Sequence, residues 1–192
     1  MKKLRKKLDE HRYIHSIGVA HTAVSLMMAH GHTETCPDKG LYEINMAYTA
    51  GLLHDCAKCL DDEERDRLCK KYQVELTQME KEHPFLIHAK LGAVLAKEKY
   101  GVTDPQILSA IRFHTTGKPE MTTLEAIIFS ADFIEPNRKM LDCLPAIRTE
   151  IYRDLPKAIH MILKQTLVHL EHRNQPVDEN SLRAIEYYKQ FA

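Results

Sequence analysis

The chain has 192 residues, 44% hydrophobic and 28% charged, with 27 Lys+Arg balanced by 27 Asp+Glu. That length suits one domain with a real hydrophobic core. A formal net charge of zero points away from nucleic acid and anionic membrane surfaces, and no apolar run approaches the ~20 residues of a membrane span.

In chain order, the Lys/Arg-rich start lacks an apolar h-region and does not read as a signal peptide. Ile17, Ala20, Val24, Met27 and Met28 then recur at helical spacing and predict an amphipathic helix ending near Gly31. His15 precedes this stripe, and Gly18 leaves room for a close neighbour. Residues 32–41, with Pro37 and Gly40, read as a loop, and Tyr42 to Asp55 as a second helix. Its apolar run, Met46 to Leu53, ends abruptly in His54-Asp55. A carboxylate there faces the negative end of the helix dipole, at a cost of roughly 0.3–1 kcal/mol. Burying it unpaired would cost several times more, so a cation must be near, either Lys58 or a metal ion. As an isolated pair, His54-Asp55 would read as a core histidine beside a solvated aspartate.

Asp61 to Tyr72 reads as a charged, mostly exposed helix. Pro84 suits the first turn of a helix running to Tyr100 and closed by Gly101. Its small residues Ala89, Gly92, Ala93 and Ala96 would permit close helix contact, and His88 shares their stripe. Asp104-Pro105 opens the next helix as N-cap and first residue. It ends in His114-Thr115-Thr116-Gly117, a turn whose hydroxyls, backbone N–H groups and imidazole suit phosphate oxygens. Thr122 with Glu125 is a capping-box pattern, and Pro136 ends the helix that follows. Asp132 is the only formal charge in its run, Ile127 to Ile134. A helix so apolar is largely buried, and its carboxylate stays ionised only beside Arg138, Lys139, a protonated histidine or a metal. Asp154 and Pro156 open a helix to about Arg173, and a final helix covers Ser181 to Phe191. No period-2 strand, repeat or linker interrupts this pattern, so the fold expected is an all-α bundle.

The five cysteines are an odd number. Cys56 and Cys59 form a lone CxxC without a thioredoxin-like strand, so the cysteines read as reduced cytosolic thiols. Histidine is the surplus residue, twelve against five phenylalanines. His11, His21, His30, His32, His160, His169 and His172 read as structural or surface residues. His15, His54, Asp55 and Asp132, drawn from three helices, instead make a set of two nitrogen and two oxygen donors suited to iron, manganese or zinc. On a six-coordinate ion they leave two positions for water and substrate, as a hydrolytic metal requires.

The assembled pattern His15…His54-Asp55…Asp132 resembles the HD-domain phosphohydrolase superfamily. It is similar more closely to the YqeK-like branch of symmetrical dinucleoside-tetraphosphate hydrolases. The residues that carry this are Arg12-Tyr13-x-His15-Ser16-x-Gly18-Val19, Gly51-Leu52-Leu53-His54-Asp55-x-Ala57-Lys58, His88-x-x-x-Gly92-Ala93, His114-Thr115-Thr116-Gly117 and Ala131-Asp132-x-Ile134-Glu135-Pro136-x-Arg138. The last two stretches point to the branch. The resemblance implies one HD-domain helical bundle over residues 1–192, with core motifs in 12–138 and a C-terminal helical extension, 145–192. It implies a cytoplasmic enzyme that cleaves diadenosine tetraphosphate to two ADP at an iron site of one or two ions, manganese or another divalent transition metal being the alternative. A metal-bound hydroxide would attack in line. His15, His54, Asp55 and Asp132 would be the ligands, and Asp55, Lys58 and His114 the catalytic groups. Arg12, Lys58, His88, His114, Thr115 and Arg138 would meet the polyphosphate, unless His88 and His114 hold a second metal. The partner expected is a small-molecule nucleotide, with no nucleic acid or membrane, and a homodimer is compatible. The alternatives are an HD-type nucleotidase or phosphodiesterase acting on another nucleotide, and a non-catalytic nucleotide-binding module.

Overall fold

The computed structural model describes residues 2–32 and 37–192. Helix α1 spans Lys2–Arg5, α2 Glu10–His30, α3 Pro37–Leu53, α4 Asp62–Lys71, α5 Gln78–Glu82 and α6 Ile87–Tyr100. Then follow α7 (Pro105–Phe113), α8 (Thr123–Ile134), α9 (Leu144–Glu150), α10 (Leu155–His172) and α11 (Glu179–Tyr188). No β-strand occurs among the described residues. The fold is all-α, as the periodicity predicts. No described helix is long and apolar enough to cross a membrane.

Local chemistry sets most of the boundaries. Asp104 accepts from the backbone N–H groups of Gln106 and Ile107, with Pro105 in the first turn of α7. Thr122 and Glu125 form the reciprocal capping box that opens α8. Each such cap is worth about 1 kcal/mol. Gly101 closes α6 at φ +74°, a left-handed conformation that costs a glycine little.

The structure departs from the sequence reading at several places. The expected loop 32–41 is helical from Pro37 onward, because proline's fixed φ suits a first helical turn. Gly40 is tolerated inside α3, at a propensity cost of about 1 kcal/mol, because that helix packs along α2. The remainder of that loop reading, residues 33–36, lies outside the described residues. At its other end α3 stops at Leu53, so His54 and Asp55 stand in the turn beyond the helix. Pro84 opens a 3-10 turn, Pro84–Leu86, and α6 proper begins at Ile87. The short α5 carries its own Thr77/Glu80 capping box, a legible signal in a stretch too short for periodicity. Helix α9 is likewise unanticipated. Capped by Asp178, α11 begins at Glu179, two residues before the expected start, and the last residues of the expected helix, Lys189–Phe191, form a 3-10 turn.

Helices α2, α3, α7 and α8 pack on one another, α6 lies on α7, and α10 packs against α8, α9 and α11. Val19, Ala23, Leu26, Ala47, Ala50, Ile111, Ile127 and Ile128 are fully buried where these helices meet. Every residue of α8 from Leu124 to Ala131 is buried, including the capping Glu125 and Ser130, as a predominantly apolar helix requires. The α2–α3 crossing is close because of Gly51, where a Cβ would lie 2.8 Å from Ala20 Cα. Gly51→Ala should therefore destabilise the fold by about 1–2 kcal/mol, overpacking of about 1–3 kcal/mol outweighing the gain in helix propensity. Urea unfolding midpoints at constant slope would measure this, and an unchanged or raised midpoint would refute it.

Cys56, Cys59, Cys69 and Cys143 are free, so the CxxC pair is not bridged, and Cys36 lies outside the described residues. Burial pushes the Cys56 thiol up to about 12, leaving it unreactive.

Candidate active site

Three histidines end or begin helices in the same way. His54 Nδ1 lies 2.7 Å from the Gly51 carbonyl, His88 Nδ1 2.6 Å from the Phe85 carbonyl, and His114 Nδ1 2.7 Å from the Ile111 carbonyl. A carbonyl only accepts, so each Nδ1 carries the hydrogen and each Nε2 presents a bare lone pair. Burial pulls His54 down to about 4 and His88 to about 3, which keeps both imidazoles neutral at neutral pH.

These lone pairs converge. His88 Nε2 and His114 Nε2 are 3.3 Å apart, and they lie 3.4 and 3.5 Å from Asp55 Oδ1. His54 Nε2 sits 3.7 Å from both Asp55 Oδ2 and Asp132 Oδ1. Acceptors this close repel one another unless a cation or donor stands between them. Two donors partly serve: Lys58 Nζ is 3.0 Å from His88 Nε2, and the Thr115 hydroxyl lies 3.1 Å from His88 Nε2 and 3.0 Å from His114 Nε2. Burial lowers the Lys58 amine from its ordinary value.

His15 completes the ring from α2. Its Nδ1 lies 3.0 Å from Glu135 Oε1, and its Nε2 lies 2.9 Å from Asp132 Oδ1 but out of line for a hydrogen bond. Burial pulls His15 down, and the carboxylates of Asp132 and Glu135 outweigh it and hold the ring above its ordinary value. Gly18 makes room for this neighbour, since a Cβ there would meet Glu135 Oε2 at 2.3 Å. Asp55, almost fully buried, pairs with Arg12 Nη1 at 3.1 Å. Asp132 receives Arg138 Nη2 on Oδ1 at 2.6 Å, and Arg138 Nε donates to the Asp132 carbonyl at 2.7 Å. Burial opposes the Asp132 charge, but His15 and Arg138 hold its carboxyl well below the usual range.

All ten residues singled out in the sequence thus meet in one place. Among the described residues, two groups have donor atoms within 4.8 Å of one another, His15 with His54 and Asp132, and His54 with Asp55 and His114. The buried Nε2 atoms of His15 and His54 have no hydrogen-bond partner, which a structural network would have supplied. The neutral imidazoles of His54 and His88, with ionised carboxylates aimed at the same points, fit a divalent transition metal. Arg138 folds onto Asp132 from a position 42% exposed at its side chain.

Glu135, quoted in the motif that carries the resemblance, was given no role by the sequence reading. It is 1% exposed, three residues beyond Asp132, where α8 ends. A carboxylate closing a predominantly apolar helix was the available signal. It accepts from His15 at Oε1, and from the Asn137 backbone N–H at Oε2 over 2.7 Å. Glutamine cannot accept at both oxygen positions, so Glu135→Gln should loosen His15 and weaken metal binding by about 10–100-fold, the usual scale for losing a ligand's orienting partner. Chelator competition would read this, and unaltered affinity would remove Glu135 from the site. His169 and His172, read as structural or surface residues, are exposed, and they line a cavity shared with Asp132 and His114.

The HD domain family model matches residues 12–137. A Bacillus subtilis protein named symmetrical bis(5'-nucleosyl)-tetraphosphatase is 37% identical over 91% of this chain and 87% of its own length. A Halalkalibacterium halodurans protein of the same name is 38% identical over 93% of this chain and 89% of its own. A crystal structure from Clostridium acetobutylicum, described as a predicted HD superfamily hydrolase involved in NAD metabolism, superposes with a TM-score of 0.87 at 34% identity, covering 100% of this chain and 95% of that one.

Proposed function

Because this chain belongs to the HD-domain family, we propose that it hydrolyses diadenosine tetraphosphate symmetrically to two ADP. The observation that carries this reading is the convergence of bare Nε2 lone pairs on two ionised carboxylates, with Arg12, Lys58 and Arg138 beside them. That arrangement suits metal-dependent phosphoanhydride hydrolysis, and the relatives' names supply the substrate class. Dependence on a divalent metal follows from the family. We assign iron, as two ions. His15, His54 and Asp132 would hold one, His88 and His114 the other, and Asp55 would reach both. Bound there, the metal supplies Lewis-acid charge and acidifies water.

The chain's own groups do the rest. Asp55 handles the proton of the attacking water. The water enters in line at the second phosphorus from one nucleoside and breaks the central P–O–P bond, so two nucleoside diphosphates leave. Arg12 and Lys58 neutralise charge on the polyphosphate, and Thr115 offers its hydroxyl to a phosphate oxygen. Arg138 swings from Asp132 to the phosphates, its planar fork suiting their oxygens. Residues 12–138 carry this chemistry, and 145–192 extend along its open side.

Product analysis on diadenosine tetraphosphate tests the proposal. ADP as sole product supports it, and ATP plus AMP overturns it. A panel of dNTPs, cyclic nucleotides and NAD would expose a nucleotidase or phosphodiesterase instead. A metal-loaded protein inactive on all of them would be a nucleotide-binding module.

A further inference from the structure

Helix α8 ends on a backbone problem that its own residues do not solve. Pro136 carries no N–H, so the Asp132 carbonyl, one helical turn earlier, has lost its helical donor. Arg138 Nε fills that place at 2.7 Å. The Arg138 backbone N–H, which would have continued the helix onto Ile134, turns to the Glu135 carbonyl at 3.1 Å instead. The Ile134 carbonyl is thereby left over, in a stretch where Ile134 and Glu135 are 4% and 1% exposed. A buried carbonyl without a donor is strongly disfavoured.

Arg148 supplies the missing donors. It stands on α9, in the C-terminal segment and outside the motifs that carry the family pattern. Its Nε donates to the Ile134 carbonyl at 2.9 Å and its Nη2 to the Glu135 carbonyl at 3.0 Å. The planar fork spans two successive carbonyls, which a lysine ammonium does not match. No carboxylate pairs with Arg148 among the described residues, so its charge is left to face the negative end of the α8 dipole.

A capping arginine often serves stability alone. Two observations point further. Leu144, Ile147 and Ile151, at most 1% exposed, already dock this segment, so the guanidinium is not needed to hold it. The stretch that Arg148 grips also carries groups from both sides of the site. Glu135 meets His15 at Oε1 and the Asn137 N–H at Oε2, and Arg138 follows directly.

We propose that Arg148 is a positioning residue of the active site: by gripping the Ile134 and Glu135 carbonyls it fixes the turn 134–138, which sets Glu135 against His15 and presents Arg138 to the phosphates. The inference rests on the metal and phosphate roles read above, and it makes the C-terminal segment part of that site. When the Arg138 side chain leaves Asp132 for the phosphates, Arg148 keeps the end of α8 in place.

Arg148→Met, which keeps most of the side-chain bulk, should weaken metal binding about tenfold in chelator competition, the scale for loosening a ligand's orienting partner. On a Glu135→Gln background it should add little, because both changes act through the same group. Arg148→Lys returns the charge to the helix end without the fork, so it should recover the urea midpoint more fully than the metal affinity. Hydrogen exchange reads the turn in metal-free protein: the Asn137 and Arg138 amides should exchange about tenfold faster in Arg148→Met, with those of α2 unchanged. A lowered urea midpoint with wild-type metal affinity, or a full additional loss on the Glu135→Gln background, reduces Arg148 to a helix cap and overturns the proposal. Unchanged exchange at Asn137 and Arg138 overturns it too. A wild type that binds no metal overturns the metal site itself, while the exchange comparison still decides whether Arg148 fixes the turn.

Discussion

Asp55→Ala should lose metal and turnover together while keeping the helical content of the wild type. This one carboxylate lies 3.4 and 3.5 Å from His88 and His114 through Oδ1, and 3.7 Å from His54 through Oδ2. It is thus the group shared by both sets of imidazoles, and its removal weakens both at once. On the proposed reaction it would also leave the attacking water without its proton acceptor. The expected loss in kcat/KM is at least about 10³-fold, the upper range for one missing charge stabiliser, because binding of the metal fails as well. The fold should survive because the Asp55 side chain caps no helix and stands in the turn after α3. Elemental analysis, circular dichroism and kinetics on one preparation read all three quantities. A variant with wild-type metal stoichiometry would remove Asp55 from the coordination sphere.

His114→Ala and Arg138→Ala should separate metal binding from phosphate binding. The His114 lone pair faces His88 and Asp55, so its loss should lower the metal count per chain by about one, with kcat/KM falling by on the order of 10²–10³. Arg138 is no metal ligand at neutral pH. Its removal should leave the metal count unchanged and lower kcat/KM by a similar order. Arg138→Lys should restore part of the loss, returning a point charge without the bidentate fork. Equal metal counts in wild type and His114→Ala would return His114 to the phosphate side, as the Thr-Thr-Gly turn alone suggested. Unchanged kcat/KM in Arg138→Ala would leave Arg138 as a structural partner of Asp132 only.

What the sequence by itself determined follows from the range of the interactions involved. Caps act within three residues, so the starts of α7 and α8 were legible in Asp104-Pro105 and in Thr122 with Glu125. The burial of α8 was legible because an apolar helix has nowhere else to go, and that burial marked Asp132 as unusual. The His54-Asp55 pair drew notice because a carboxylate at a helix end needs a cation. Tertiary structure decided everything that depends on distance across the chain. His15 meets Glu135 across a sequence separation of 120, and only the α2–α8 packing, with room left by Gly18, brings them together. No spacing rule could give the 3.3 Å between the Nε2 atoms of His88 and His114, because α6 and α7 set it jointly. The same holds for His169 and His172, which are exposed on α10 and yet line the cavity. Only the docking of α10 on α8 turns their face toward Asp132, because a helix's own sequence states which residues share a face but not what that face will meet.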